Sequence, residues 1–169
     1  MPRVQSFDPI IGVQPRVLIL GSMPGVESLK QQRYYAHPRN AFWPIMAALF
    51  DQQWPEEYPQ RIAQLRRLPL ILWDVLHSCH RPGSLDSSIL ADQQQANPIA
   101  ELLQQYDSIR WIVFNGQTAE KLFRQHVLGS IDERSRFELI RLPSTSPAHA
   151  SKNLQQKLAE WSVIRDYCE

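Results

Sequence analysis

Four short apolar segments, each followed by a polar turn, constrain the fold of this chain more than any other feature. They span Val17–Leu20, Leu70–Trp73, Trp111–Phe114 and Phe137–Leu142. The first has the length and branching of a strand that is buried on both faces of a sheet, and the other three also predict strands. Helix-like patterns separate them, and such alternation favours a parallel sheet covered on both sides. The sequence therefore predicts an α/β fold: a three-layer α/β/α sandwich around a central four-stranded parallel sheet.

The patterns between the strands have the apolar spacing of amphipathic helices. The predicted helices cover residues 42–50, 59–67, 98–106, 118–127 and 153–167. Asn97 before Pro98 predicts a side-chain cap, followed by proline in the first turn of the third of these helices. No repeat or linker interrupts the sequence, so residues 1–169 are expected to form one domain.

The segments that follow the four strands carry polar side chains suited to a binding site. Right-handed crossovers bring the carboxyl ends of parallel strands to one rim, where ligands bind in folds of this class. The rim loops are residues 21–40, 74–86, 115–116 and 143–149. The sequence thus predicts one site that these four loops build together.

The charge of the chain is nearly balanced, so a nucleic-acid partner would need a local positive surface. The formal net charge is +1. Basic side chains and histidines are nevertheless concentrated in or near the rim loops: His37, His77, His80, His149, Arg33, Arg39, Arg81 and Lys152. They predict a local positive rim that the net charge hides.

The sequence indicates neither a membrane segment nor a disulfide framework. No apolar run approaches the ~18 residues that a membrane span needs, and the first twelve residues lack the apolar core of a signal peptide. Cys79 and Cys168 show no pairing pattern and no metal-binding spacing. A cytoplasmic protein without membrane contact is expected, and we expect it to act as a monomer.

Two segments of the first rim loop carry a resemblance to a known family. They are GSMPG, which begins at Gly21, and YYAHPRNAFW, which begins at Tyr34. Together they resemble the first motif region of the uracil-DNA glycosylase superfamily, and most closely its hypoxanthine (deoxyinosine) DNA glycosylase branch. Three further segments resemble that branch in the same order along the chain: WDVLHSCHRPGSLD, FNGQTAEKLF and LPSTSPAHAS.

The resemblance implies an enzyme of base excision repair. It implies a monofunctional DNA glycosylase that hydrolyses the N-glycosidic bond of a deaminated base, with hypoxanthine favoured and with damaged DNA as its partner. No cofactor is expected, because the sequence contains no constellation of metal ligands. The alternative within the class is excision of uracil or xanthine. The alternative from another class is a noncatalytic α/β module that binds nucleotides or nucleic acid.

The resemblance also implies roles for individual residues, beginning with catalysis. Related branches place an asparagine, aspartate or glutamate where this chain has Met23, whose side chain can neither orient nor activate water. Asn40 is the nearest residue able to orient the water, since an amide is not a general base at neutral pH. Alternatively, Asn40 only caps the following helix. His37 is a second catalytic candidate, as a donor to the base, or else it only stabilises its loop.

The base-binding candidates lie in the first two rim loops. By resemblance, the glycine turn lines the pocket: Gly21, Ser22, Met23, Pro24 and Gly25. Tyr35 takes the position of an aromatic ring that stacks on the flipped base, or is a buried loop tyrosine. Asp74 can accept from N1–H of hypoxanthine, or it accepts from loop amides. A carboxylate would repel O6 of that base, so a neighbouring donor would be required.

The DNA-binding candidates lie mainly in the last rim loop, which resembles a motif that pinches the DNA backbone. Ser144 and Thr145 are expected to contact phosphate, and Ser146 is expected near the gap that the flipped nucleotide leaves in the duplex. His149 reaches phosphate or the leaving base, or is a surface histidine. Arg39 belongs to the positive rim.

Overall fold

Five strands form the main sheet of the computed structural model, in which residues 3–50, 53–81, 84–86, 89–90 and 94–169 are described. In chain order the strands of the protein are β1 Arg3–Gln5, β2 Ile10–Ile11, β3 Val17–Gly21, β4 Leu70–Asp74, β5 Leu76–His80, β6 Gln95–Ala96, β7 Trp111–Asn115 and β8 Glu138–Leu142. Across the main sheet their order is β2-β4-β3-β7-β8. The four predicted strands are parallel neighbours, whereas β2 pairs antiparallel with β4 at one edge. The predicted parallel core is thus confirmed, with an added antiparallel strand.

A second, antiparallel sheet of order β1-β5-β6 replaces part of a predicted loop. Residues 74–86 were expected to be irregular, but Leu76–His80 is a strand. The strand is hard to recognise in the sequence because only one of its three buried residues, Leu76, is strongly apolar; the other two are Ser78 and Cys79. His77 and His80 therefore belong to a strand, and neither of them lines the site described below.

The helices largely follow the predicted pattern. In chain order they are α1 Val26–Gln31, α2 Phe42–Phe50, α3 Tyr58–Leu65, α4 Ile99–Gln105, α5 Gln117–His126, α6 Leu154–Trp161 and α7 Val163–Tyr167. Helix α1 was not predicted. The predicted helix over residues 153–167 is divided at Ser162, whose hydroxyl donates to the Ala159 carbonyl (2.7 Å), a side-chain bond that competes with regular backbone bonding.

The predicted cap of α4 is wrong. Pro98 occupies the cap position of α4, and Asn97 lies one residue before it. The Asn97 amide instead donates to the carbonyls of Asp74 (2.8 Å) and Leu76 (3.2 Å). Asn97 is buried, so these bonds satisfy backbone groups at the junction of β4 and β5 that lie away from water.

Two hydrophobic clusters lie on opposite faces of the main sheet. Leu18 and Leu20 of β3 point into one cluster, with residues of α4 and α5. Val17 and Ile19 point into the other, with residues of α2, α6 and α7. This alternation is that of a strand buried on both faces, and it gives the predicted three layers. Among the described residues, no helix is long and apolar enough to cross a membrane.

Candidate active site

The loops after the parallel strands enclose a cavity of about 780 Å³ at the carboxyl edge of the main sheet. This volume is within the range of pockets that hold small-molecule ligands, so a flipped nucleoside fits inside. Every residue predicted for the site lines the cavity: Gly21, Ser22, Met23, Pro24, Gly25, Tyr35, His37, Arg39, Asn40, Asp74, Ser144, Thr145, Ser146 and His149. The structure therefore brings all of these candidates together.

Gly21 lets two polar side chains approach the end of β3. A Cβ atom on Gly21 would lie 2.4 Å from Oδ1 of Asp74 and 3.1 Å from the hydroxyl of Tyr35. Any side chain at Gly21 would collide with the carboxyl group, so the absence of a side chain is what allows this packing. The floor of the cavity is thus formed by Gly21, Asp74 and Tyr35.

Tyr35 packs one face of its ring against Phe42, with ring centroids 4.3 Å apart and an angle of 21° between the planes. Its backbone is held in the left-handed region at φ 53°, which is uncommon for a residue other than glycine. Burial and the negative charge of Asp74 raise the pKa of Tyr35, so the hydroxyl keeps its hydrogen at neutral pH. Only the other face and the edge of the ring remain for a base.

Asn115, at the end of β7, joins Tyr35 and Thr145 through three hydrogen bonds and was not predicted as a site residue. Its Nδ2 donates to the Tyr35 hydroxyl (3.2 Å) and to Oγ1 of Thr145 (3.0 Å). Its Oδ1 accepts from the backbone N–H of Thr145 (2.9 Å). The sequence did contain a signal for this role, because Asn115 is a polar residue at the carboxyl end of a buried strand. The sequence pattern predicted only a turn there.

Thr145 anchors its loop. The residue is 1% exposed, and its carbonyl accepts from the backbone N–H of Ala41 (2.9 Å), which joins the last rim loop to the first. Because its hydroxyl is buried against Asn115, a phosphate could reach it only after the loop had moved. The position of Thr145 therefore favours a structural role over the predicted phosphate contact.

Ser144 and Ser146 are better placed for phosphate. Each hydroxyl accepts from a backbone N–H two residues later, from Ser146 and from Ala148 respectively, both at 3.2 Å. The hydroxyl hydrogens are then left to donate to an anion. The ammonium group of buried Lys157 donates to the carbonyl of Ser146 (3.3 Å), so a positive charge lies beneath this loop. His149 also borders the cavity.

Asn40 lies one residue before the cap position of the following helix, which Ala41 occupies, but its side chain still caps a backbone N–H of the first turn. Its Oδ1 accepts from the backbone N–H of Phe42 (3.0 Å), at the first residue of α2. Its backbone N–H donates to the carbonyl of His37 (2.9 Å). The cap uses one of the two lone pairs of the side-chain oxygen, and Nδ2 has no hydrogen-bond partner among the described residues. Asn40 can therefore both cap α2 and orient a water in the cavity.

The ring of His37 has a defined tautomer when it is neutral. Nδ1 accepts from the backbone N–H of Arg39 (3.1 Å), so the hydrogen of the neutral ring is on Nε2. The half-buried ring lines the cavity, whereas Arg39 is exposed at its mouth. Nε2 of His37 can thus donate to a base or a phosphate in the cavity.

Two carboxyl groups, those of Asp74 and Asp86, line the cavity. Asp74 is 3% exposed, and its Oδ2 has no hydrogen-bond partner among the described residues. Asp86 accepts from the hydroxyl of Ser22 (2.5 Å). Burial and, to a smaller extent, the negative charge of Asp86 raise the pKa of Asp74 to about 7, although the charge of Arg81 opposes them. Both forms of Asp74 are therefore accessible near neutral pH.

The positive rim is smaller than predicted. Arg81 is only 2% exposed, and its guanidinium donates to the carbonyl of Pro24, which supports the glycine turn from behind. Lys152 forms an ion pair with Glu160. His77 and His80 lie in β5, outside the cavity. None of these four residues lines the cavity, which their positions in the sequence could not reveal.

A comparison of the sequence with protein families decides the relationship. The model of the uracil DNA glycosylase superfamily matches residues 9–166. The chain belongs to this superfamily. The predicted resemblance is thereby confirmed, and the match includes all of the rim loops.

Two relatives and one solved structure are similar over most of the chain. A protein of Methanosarcina acetivorans named hypoxanthine DNA glycosylase is 31% identical over 166 residues, which cover 95% of this chain and 96% of the relative. A protein of the same name from Methanosarcina barkeri is 32% identical over 114 residues, covering 67% and 71%. The solution NMR structure of a candidate uracil DNA glycosylase from M. acetivorans has a TM-score of 0.77 at 29% identity and covers 99% of both chains.

Substitutions of Tyr35 should separate ring stacking from the role of its hydroxyl. Tyr35→Phe keeps the ring on Phe42 and should bind a duplex with a nonhydrolysable inosine analogue nearly as well as the unmodified protein. Tyr35→Ala should lose roughly 1–3 kcal/mol, the typical contribution of an aromatic ring stacked on a base. Equilibrium binding of that duplex is the measurement, with thermal unfolding as the control for folding. Equal affinities of the two variants would contradict stacking.

Proposed function

We propose that this protein is a monofunctional DNA glycosylase that releases hypoxanthine from deoxyinosine in DNA during base excision repair. One observation carries the proposal: a single cavity combines the side-chain amide of Asn40, the aromatic ring of Tyr35 and the buried carboxyl group of Asp74. The names of the two Methanosarcina relatives support the choice of base.

Flipping of the nucleotide is the first requirement. Removing a base from the duplex costs a few kcal/mol, least where its pairing is already weakened, as in a deaminated pair. In this proposal the hydroxyls of Ser144 and Ser146 and the exposed side chain of Arg39, which all line the cavity, hold the backbone phosphates. Their contacts, together with stacking on Tyr35, offset the cost of flipping.

Cleavage of the bond between C1′ and N9 follows. Asn40 orients a water whose oxygen bonds to C1′ as the bond to N9 breaks, and the surplus proton of that water passes to solvent. The departing purine takes the bonding electrons, so a hydrogen bond to its ring nitrogens stabilises it. Nε2–H of His37 is a donor on the cavity wall that suits this role.

Incubation with defined duplexes tests the proposal. Duplexes containing one inosine, uracil or xanthine are treated with the protein, and alkali then cleaves the strand at each abasic site. We expect the inosine duplex to be cut, whereas an undamaged duplex of the same sequence stays intact. Release of uracil or xanthine instead of hypoxanthine would show that the protein is a DNA glycosylase with a different base specificity. Binding without release of any base would favour the noncatalytic module.

A further inference from the structure

Asp74 cannot bind the N1–H and O6 edge of hypoxanthine well when its carboxyl group is ionised. Hypoxanthine offers a donor at N1–H beside an acceptor at O6. A carboxylate can only accept, so it binds N1–H and repels O6. The interpretation of the sequence therefore required a separate donor beside Asp74.

We propose that Asp74 binds the base as a neutral carboxylic acid, with one oxygen accepting from N1–H and the carboxyl hydrogen donating to O6. This inference rests on the proposed function and specifies how the same site selects its substrate. A neutral carboxylic acid thus supplies an acceptor for N1–H and a donor for O6 from one side chain. Ionisation of Asp74 would remove the donor to O6, so the rate of excision should depend on pH.

The packing around Asp74 favours the neutral form. The group is 3% exposed, and Oδ2 has no hydrogen-bond partner among the described residues, so an ionised carboxylate would be buried without compensation at that oxygen. Asp86 places a second carboxyl group nearby, already bonded to Ser22. Two neighbouring carboxyl groups in a buried site do not ionise independently, because the first negative charge opposes the second.

The other charged or titratable groups that face Asp74 do not reverse this preference. Arg81 directs its guanidinium to the carbonyl of Pro24, and the opposing effect of its charge is smaller than those of burial and Asp86. Tyr34 and Tyr35 face Asp74 as neutral phenols, because burial raises the pKa of both hydroxyls. The carboxyl pKa of about 7 that results leaves Asp74 largely neutral in mildly acidic solution.

The pH dependence of excision tests the proposal. For a neutral active form with a pKa of about 7, single-turnover release of hypoxanthine should fall about tenfold between pH 6 and pH 8. Asp74→Asn carries an acceptor and a donor at every pH, so it should stay within about tenfold of the unmodified rate at pH 6 and lose the alkaline fall. Asp74→Ala should be at least about tenfold slower than Asp74→Asn.

Two controls accompany these variants. Asp86→Asn removes the neighbouring charge that raises the carboxyl pKa, so the fall should begin at a lower pH. Asp107→Asn changes an exposed aspartate outside the cavity and should reproduce the unmodified profile. A rate that rises through pH 7, together with an inactive Asp74→Asn variant at every pH, would show that the carboxylate is the active form and overturn the proposal.

Thermal unfolding without DNA measures the protonation of Asp74 independently of activity. A carboxyl pKa that is raised in the folded state makes the protein lose stability as pH rises from about 4 to about 7. The Tm of Asp74→Asn minus that of the unmodified protein should therefore increase between pH 4 and pH 8. A difference that stays constant with pH would show that Asp74 is not neutral in the folded protein and would overturn the proposal.

The release assay separates this inference from the proposed function. Absence of hypoxanthine release at every pH would overturn both, whereas release without a fall at alkaline pH would overturn only this inference.

Discussion

Replacing Asn40 by alanine should lower the single-turnover rate of hypoxanthine release by ~10²-fold or more, while affinity for the damaged duplex changes little. The reason is that an oriented water contributes chiefly in the transition state, and loss of one positioned catalytic group typically has an effect of this size. The amide lines the cavity, and its Nδ2 has no hydrogen-bond partner among the described residues. The measurement is single-turnover release from an inosine duplex at saturating protein.

The helix cap made by Asn40 complicates this test, because alanine also removes the bond from Oδ1 to the backbone N–H of Phe42. Loss of a cap typically costs about 1 kcal/mol of stability. Asn40→Ser is the matched control, since its hydroxyl can still accept from that N–H but lacks an amide. We expect Asn40→Ser to recover the Tm without recovering the rate. A serine variant with nearly normal turnover would show that capping, and not water orientation, accounts for the alanine result.

The framework of the site could be predicted from sequence because its determinants are local. Strands β3, β4 and β7 are continuous apolar runs, and each ends at a residue that lines the cavity: Gly21, Asp74 and Asn115. Parallel pairing then requires these ends to meet at one edge of the sheet. Placement of the rim loops around one cavity follows from that geometry without knowledge of any long-range contact.

What could not be predicted depends on contacts between segments distant in sequence. Arg81 is a charged side chain after a polar run, and its guanidinium is buried where it donates to a distant partner, the carbonyl of Pro24. Asn115 gains its role from Tyr35 and Thr145, which approach it from two other loops. The pairing of Ser22 with Asp86 likewise joins residues 64 positions apart. Local patterns contain no information on which of these partners will meet.

The sequence and the structure together indicate that Met23 affects which base is released. The sequence indicated a missing polar side chain in the glycine turn, and the structure places Met23, 6% exposed, in the hydrophobic cluster while it also lines the cavity. Its side chain thus fills space and offers the base no hydrogen bond. A departing uracil carries negative charge that needs such a bond at O2, whereas the charge that develops on a departing hypoxanthine can be stabilised by a donor at a ring nitrogen, such as Nε2–H of His37.

We therefore expect release of hypoxanthine to exceed release of uracil by at least ~10²-fold, because a polar group buried without a hydrogen-bond partner costs up to about 3 kcal/mol. Duplexes that differ only in the target base provide the measurement. Comparable rates on the two bases would mean that the glycine turn does not determine selection, and the assignment would move to uracil excision.

Met23→Asn should narrow this ratio by raising the rate on uracil, because the amide supplies the bond that methionine lacks. The variant places a polar group in an apolar cluster, where an amide without partners costs ~1–3 kcal/mol, so its Tm must be measured alongside the rates. Met23→Leu is the matched control: it keeps an apolar side chain of similar volume and should leave the ratio unchanged. If Met23→Leu narrows the ratio as much as Met23→Asn, looser packing and not a restored hydrogen bond admits uracil. A folded Met23→Asn variant with the unmodified ratio would show that selection lies elsewhere, and Asp74 and His37, which also line the cavity, would be the next residues to test.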